Sequence, residues 1–487
     1  MSKSAKGSKF AVYQFINAEM RFKELLMKSF HNIRAIIFAF FIGMAEIAHA
    51  KLFNLMAGNG MILGANALIT STVITNEVLR IAHNASAFLG NVNSDYDAAW
   101  DGKYKPGTTV KARGPVQFTH RDGETANVQD VTERSVDVTL QPLLGLDFAI
   151  GSTELTTSVG SNGTVSKEFK DRYLQPAGLK LAALLDFRVA TLMKNGFHQI
   201  VGTPGTPPSS ISDILQAQVP MDRMSVPRDG MRMAAIEPGA NATIVAGLAT
   251  LFNRKEMLDE QYKTGVIKTG LGLDFAMSQN VPSHTVGPLG GAPAVNGANQ
   301  GLINAGTTDN PFVAVTSLVT NGWTAAAGLR LNKGDTFTIA GVNSVNPETK
   351  SSTGVLQSFL VTADTSSDGA GNATIVISPA IIAGGAYQNV TARPASGAAL
   401  TVTSGAAGTT YTNNLIWHKD SFTFVSPKQE LPGGMDMAYQ ASLADDGGVS
   451  LRFVRGFDIT NNKFVSRFDI LWGGAVTLPN FGVRRTN

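Results

Sequence analysis

The chain has no cysteine among its 487 residues. That excludes disulfide staples, thiolate nucleophiles and thiolate-ligated zinc together, so rigidity has to come from packing or assembly. Charge is also scarce: Asp, Glu, Lys and Arg make up 16% of residues, against about a quarter in an ordinary soluble domain. A neutral, polar surface suits extended contact with other subunits better than solitary solubility. The patterns that mark many enzymes are missing as well, with no GxxxxGK[ST], no HExxH and no G-x-S-x-G. The histidines (His31, His49, His83, His120, His198, His284 and His418) are scattered without ligand spacing, and read as surface or packed side chains. No catalytic group, cofactor or metal is expected.

Two near-motifs dissolve on inspection. Gly270-Leu271-Gly272 opens like a dinucleotide fingerprint, but Phe275 stands where the third glycine belongs, so a tight turn is expected. Asp364 to Gly369 opens like a calcium loop, yet Ser366 holds the third ligand position and Ile375 the place of the bidentate Glu. A hairpin turn explains those residues.

What the chain does have is apolar content of 43% and 50 glycines, with Gly, Ser, Thr and Asn densest after residue 280. Its length exceeds what one core usually supports, so two or three domains are expected. The net charge is +3, but residues 1–60 alone carry eight basic and three acidic side chains, which leaves −2 on the rest. Such a body has no electrostatic footprint for binding phosphate.

The strongest apolar run, Ala35–Ala45, follows Arg34 and precedes Ala48-His49-Ala50. The pattern is that of a signal peptide, but the polar lead is long and Glu46 lies inside the exit. The run is shorter than the roughly 18 apolar residues of a spanning helix, so no membrane segment is expected. Residues 1–60 read as a helical extension, or as sequence ahead of a start near Met61.

Along the body, Ile74, Val78, Ile81, Ala82, Ala85 and Phe88 predict an amphipathic helix ending at Gly90. Alternation at Val136, Val138 and Leu140, then at Phe148 and Ile150, predicts strands, and 102–152 reads as a long two-stranded excursion. Residues 167–196 are the longest helix candidate. Leu181, Leu185, Val189 and Leu192 form its stripe, broadened by Leu184 and Phe187, with Pro176 near the start and Gly196 ending it. Residues 203–240 read as Pro-punctuated strands and turns, 242–262 as helix, and 269–287 as strand and turn. Between 311 and 400, TFTIAGV, SFLVTAD, ATIVISP and NVTARP are short β runs separated by turn sequences, as in a small barrel or sandwich. Mixed sequence follows 415.

ITNEVLRIAHN (74–84), RSVDVTLQPLLGLDFAIGSTEL (134–155), the helix at 167–196, VPRDGMRMAAI (226–236), TGLGLDFAMSQNVPSHTVG (269–287), LNKGDTFTIAGVNSVNPETKSSTGVLQSFLVTA (331–363), NLIWHKDSF (414–422) and GGVSLRFVRGFDITNNKFVSRFDILWGG (447–474) occur in that order. Together they resemble the major capsid proteins of tailed double-stranded DNA phages, which share the Hong Kong ninety-seven fold. More narrowly they resemble podovirus coat proteins with an inserted β-barrel domain. Relatives begin shortly before the ITNEVL-like segment, so 1–60 has no counterpart.

The resemblance implies an α+β fold with a spine helix, an extended hairpin loop, peripheral and axial domains, and an inserted barrel. It divides the chain into an extra segment 1–60, an N-terminal arm and helix 61–101, hairpin and peripheral strands 102–165, spine helix 166–200, peripheral and axial segments 201–310, barrel 311–400 and return strands 401–487. It implies self-assembly through pentamers and hexamers into an icosahedral virion shell around double-stranded DNA, without sequence-specific DNA binding. A scaffolding protein and a portal would be partners, with assembly in the bacterial host cytoplasm. Candidate assembly contacts are Lys103, Lys105, Lys111, Arg113 and Arg121 in the hairpin, and Glu348 and Lys350 in the barrel loop Asn343–Gly354. The alternative is a secreted β-rich surface or adhesin protein cleaved after Ala50.

Overall fold

A helix over 74–82 (α1) begins the part of the chain that a computed structural model describes, namely residues 74–82, 86–96, 107–126, 128, 131, 133–153, 170–248, 269–297, 316–433, 437–442 and 448–487. The expectations for residues 1–60, for Lys103 and Lys105, for helix over 249–262 and for the first residues of the helix at 167 lie outside the described residues. In α1, Ile74, Val78, Leu79 and Ala82 are buried along one stripe. The helix does not run on to Gly90 as expected, because residues 86–88 leave the helical path. The cause is a buried carboxylate. Asp186 accepts the Ser86 hydroxyl and the Ala87 N–H at 2.8 Å, and Ser86 Oγ accepts the Leu89 N–H at 3.0 Å. Those bonds replace the helical ladder at that point.

The strands β1 (Thr109–Gly114) and β2 (Arg134–Thr139) pair antiparallel, with Thr109 opposite Thr139 and Gly114 opposite Arg134. The strand β3 (Leu144–Gly151) does not extend that hairpin, as the two-stranded reading of 102–152 expected, but joins another sheet. Helix α2 (Gln175–Lys194) follows, with Pro176 in the first turn, where a missing N–H costs nothing. Leu181, Leu185 and Val189 are buried as expected, whereas Phe187 is exposed and adds nothing to the buried stripe. Gly196 follows the helix for a reason of space: a Cβ there would lie 2.3 Å from Val476 Cγ2.

Next come β4 (Gln199–Val201), α3 (Ile211–Arg223), β5 (Arg232–Ile236), α4 (Pro238–Leu248), β6 (Thr269–Gly270), β7 (Leu273–Met277) and β8 (Ser283–Thr285). Helix α3 corrects the expectation of strands and turns over 203–240. Ser210 and Asp213 form a reciprocal capping box, and Ile214, Ala217, Gln218 and Met221 are buried at helical spacing. Pro220 forfeits one ladder bond late in the helix, and the buried stripe outweighs it. Between β6 and β7 the expected tight turn is present, with Leu271 and Gly272 both left-handed at φ 58° and 76°.

The chain then enters a compact β unit of β9 (Gly291–Val295), β10 (Thr316–Trp323), β11 (Gly328–Leu331), β12 (Thr336–Val345), β13 (Ser352–Val361), β14 (Thr365–Ser367), β15 (Ala373–Ser378) and β16 (Leu400–Val402). Six of these form one sheet in the order β16-β12-β13-β15-β10-β9, and a bridge between Ala294 and Ala399 joins its two ends. The nearly closed barrel wraps Leu318, Phe337, Ile339, Phe359, Val361, Ile375 and Ile377. It begins at 291, earlier than 311, because β9 supplies an edge strand. NVTARP forms no strand: β16 already occupies the edge of β12, leaving Val390 a single bridge to Ser344. The calcium-like segment closes on itself, the Asp368 carboxylate accepting the N–H groups of Ala370 and Asn372 at 2.9 and 2.8 Å.

The chain returns through β17 (Thr410–His418), β18 (Phe422–Val425), β19 (Met437–Ser442), β20 (Ser450–Asp458), β21 (Lys463–Ile470), β22 (Gly473–Val476) and β23 (Gly482–Thr486). Strands β17 and β23 complete a sheet ordered β4-β23-β17-β5-β7-β6. A second sheet, β19-β20-β21-β3, packs with α2 around Leu181, Leu185, Trp417, Phe453, Phe468 and Trp472.

Candidate assembly site

Among the described residues, the hairpin β1–β2 has a small apolar core at its base. Val110, Ala112 and Val138 pack on Val425, with Tyr96, Leu140 and Ala475 around them. Strand alternation turns the intervening Lys111 and Arg113 outward, where both are exposed. Lys111 sits opposite Asp137, and Arg113 reaches Glu133 at 3.2 Å. An ion pair that exposed contributes about 1 kcal/mol at most. Tyr96 Oη accepts the Arg113 N–H at 2.9 Å and ties the base to the N-terminal segment. Beyond the ladder, Arg121 is exposed together with Phe118, Val131 and Val128, the last three at 60, 61 and 92%. The sequence reading picked out the basic residues there and missed these apolar ones. Their signal was slight, since single apolar residues in a polar stretch have no period.

The barrel loop lies elsewhere. Glu348 is exposed, and its N–H donates to Asn346 Oδ1 at 2.9 Å. Lys350 is half-buried, with its ammonium donating to the carbonyl of Ala386 in the same chain. Burial pushes Lys350 down to about 8, and the neighbouring Arg134 guanidinium adds to this. The Asn346 amide donates to Arg223 O at 2.8 Å and Ser225 Oγ at 3.0 Å, which docks the loop on the end of α3. The sequence-identified residues therefore fall in two places: Lys111, Arg113 and Arg121 on the hairpin, and Glu348 and Lys350 at the foot of the barrel. Arg134, missed from sequence, lies between them. It stacks over the Tyr387 ring at 4.8 Å, and burial pushes its guanidinium down to about 10.

A buried joint holds barrel to body. The Asp335 carboxylate is fully buried and accepts from His284 Nε2 at 2.8 Å, Gly287 N–H at 3.0 Å, Asn332 N–H at 2.8 Å and Ser404 Oγ at 2.9 Å. These donors come from the segment entering the barrel, the turn before β12 and the segment leaving the barrel. Beside it, Arg484 donates to Gly334 O at 2.8 Å and Lys194 to Ser283 O at 3.2 Å. Burial pushes Lys194 down to about 8 and Arg484 to about 10. Of the described histidines, His198, His284 and His418 are buried and His120 is exposed. No group of three His, Asp or Glu among the described residues is arranged to hold a metal, and no described helix is long and apolar enough to cross a membrane.

The described residues thus form a mixed helix-and-strand body that carries a nearly closed barrel, jointed to it through Asp335. The family is specific: this chain belongs to the P22 coat protein family, whose model, described as "P22 coat protein - gene protein 5", matches residues 71–486. The chain is thus a major capsid protein of a bacteriophage, a structural component of the virion that self-assembles into the shell. Nothing supports the adhesin reading.

Among solved structures, the chain is similar to that of Mycobacterium phage Che8, at 12% identity and a TM-score of 0.38 over 82% of this chain and 90% of that one. It is also similar to the capsid of cyanophage P-SCSP1u, at 12% identity and 0.37 over 82% and 86%. The CUS-3 coat protein I-domain is 32% identical over 24% of this chain and 97% of its own length, with a TM-score of 0.17. No curated protein matches the chain.

Proposed function

We propose that the hairpin 109–139 is the arm by which each subunit lies over a neighbour within the pentamers and hexamers of an icosahedral shell. The observation that carries this is the contrast between its packed base and the exposed Phe118, Val128 and Val131 beyond it. Laying such an arm on another subunit buries apolar surface, and stable interfaces cover on the order of 1,000 Å² or more. Lys111, Arg113 and Arg121 would set its polar edges. Helix α2 serves as the spine of the peripheral domain, the mixed segments 201–290 and 403–487 build the axial and peripheral parts, and the barrel projects outward. The shell encloses double-stranded DNA without sequence-specific contact. A body carrying −2 outside residues 1–60 supports that, since it would not adhere to phosphate. A scaffolding protein and a portal are the other expected partners, and assembly takes place in the host cytoplasm, a setting in which a cysteine-free chain loses nothing.

The test replaces residues 115–133 by Asn-Gly, which joins Gly114 to Arg134 through a two-residue turn and preserves the ladder. The variant should melt like the parent subunit yet yield no closed shells by electron microscopy with its scaffolding partner. Normal shells would refute the assignment.

A further inference from the structure

We infer that the barrel sets the pose of the hairpin arm of its own subunit, through Tyr387 acting on Arg134. The inference rests on reading 109–139 as the assembly arm. Arg134 occupies the last ladder pair, opposite Gly114, where regular pairing ends and the stretch 115–133 begins. Its guanidinium lies over the Tyr387 ring at 4.8 Å, and a partly desolvated cation over an aromatic face is an oriented attraction. Tyr387 stands on a stiff platform. Asn389 Oδ1 accepts the Ile382 N–H at 2.9 Å, the Asn389 amide donates to Ala380 O at 2.6 Å, and Val345 N–H of β12 donates to Asn389 O at 3.1 Å. Lys350 braces the same turn from below by donating to Ala386 O, and Asn346 in the same β12–β13 turn is tied to the end of α3. A continuous line of bonded groups therefore runs from α3 across the foot of the barrel to the far end of the arm's ladder. On this account Lys350 and Tyr387 act inside the subunit, and the barrel orients an element that it does not itself form.

The test is a double-mutant cycle in the full chain with Tyr387→Ala and Arg134→Gln, and Tyr387→Phe as the conservative control. Amide exchange is read in 109–114 and 134–139, with β12 and β13 as the internal reference. Each single variant should speed hairpin exchange about tenfold, with β12 and β13 unchanged. The double variant should add little, Tyr387→Phe should stay near the parent, and the yield of closed shells should fall with the loosening. Unchanged hairpin exchange in Tyr387→Ala, or fully additive effects, would overturn the inference. Faster exchange with normal shell yield would uphold the coupling and sink the reading of the hairpin as an assembly arm.

Discussion

Replacing Asp335 by Ala is the sharpest perturbation of the joint between barrel and body. The carboxylate is fully buried and accepts four hydrogen bonds from three separated segments. Its removal strands two backbone N–H groups, a hydroxyl and an imidazole, and takes from Lys194 and Arg484 the negative charge of Asp335 that favours their charged forms. Bonds to a charged acceptor contribute about 1.5–3 kcal/mol each. Breaking a buried charge pair from one side costs about 3–5 kcal/mol. Within one network such terms do not add, so the expected loss is about 4–5 kcal/mol. Asp335→Asn discriminates further. Its oxygen can keep the Oδ2 pair, Gly287 and Asn332, while its amide meets Ser404 and His284, both able to accept. Its loss should be about 1–2 kcal/mol. Urea unfolding of the unassembled subunit, followed by tryptophan emission from Trp323 in the barrel and Trp417 and Trp472 in the body, measures both. A loss under about 1 kcal/mol for Ala would refute the account of the joint, and equal losses for Ala and Asn would refute the role given to the acceptor atoms.

Gly196→Ala should cost about 1–3 kcal/mol by overpacking, because its Cβ would meet Val476 Cγ2 at 2.3 Å. Most of that should return in a Gly196→Ala, Val476→Ala double variant, and a thermal melt that fails to recover would exclude close approach as the cause. Burial pushes the Asp186 carboxyl up to about 6, so between roughly pH 4 and 6 the folded chain keeps a proton that the unfolded chain has released. The associated stability is present below pH 4 and fades as pH rises through 6. Asp186→Asn should accordingly gain on the parent by about 3 kcal/mol between pH 4 and 7, and a pH-independent difference would refute this. Burial, aided by Arg484, pushes His198 down to about 3. The unfolded chain then takes up a proton below about pH 6.5 that the folded chain refuses, so acid destabilises the fold. His198→Gln should flatten the stability profile between pH 6 and 4, and an unaltered acid slope would assign that loss to other groups.

Helix α2 was legible because its apolar period is long and its proline sits where a first turn tolerates one. The barrel strands at TFTIAGV, SFLVTAD and ATIVISP were legible because each alternates between turn residues. Helix α3 was not, since Pro220 disguised a capped helix whose stripe mixes Met, Ala and Gln. The departure of residues 86–88 from the helical path was not either, because it depends on Asp186, a hundred residues away from Ser86. By itself the sequence determined the class: no cysteine, little charge, no catalytic constellation, and ordered segments matching a coat protein. It also located the polar excursion that became the hairpin β1–β2. Only the tertiary structure decided that β3 leaves that hairpin for another sheet, that Lys350 is bonded within its own subunit, and that Asp335, Arg134 and Tyr387 join barrel to body. Periodicity encodes which face of an element is buried, but a carboxylate, a guanidinium or a lone aromatic acquires its role from partners distant in sequence, and their meeting is a property of the folded chain.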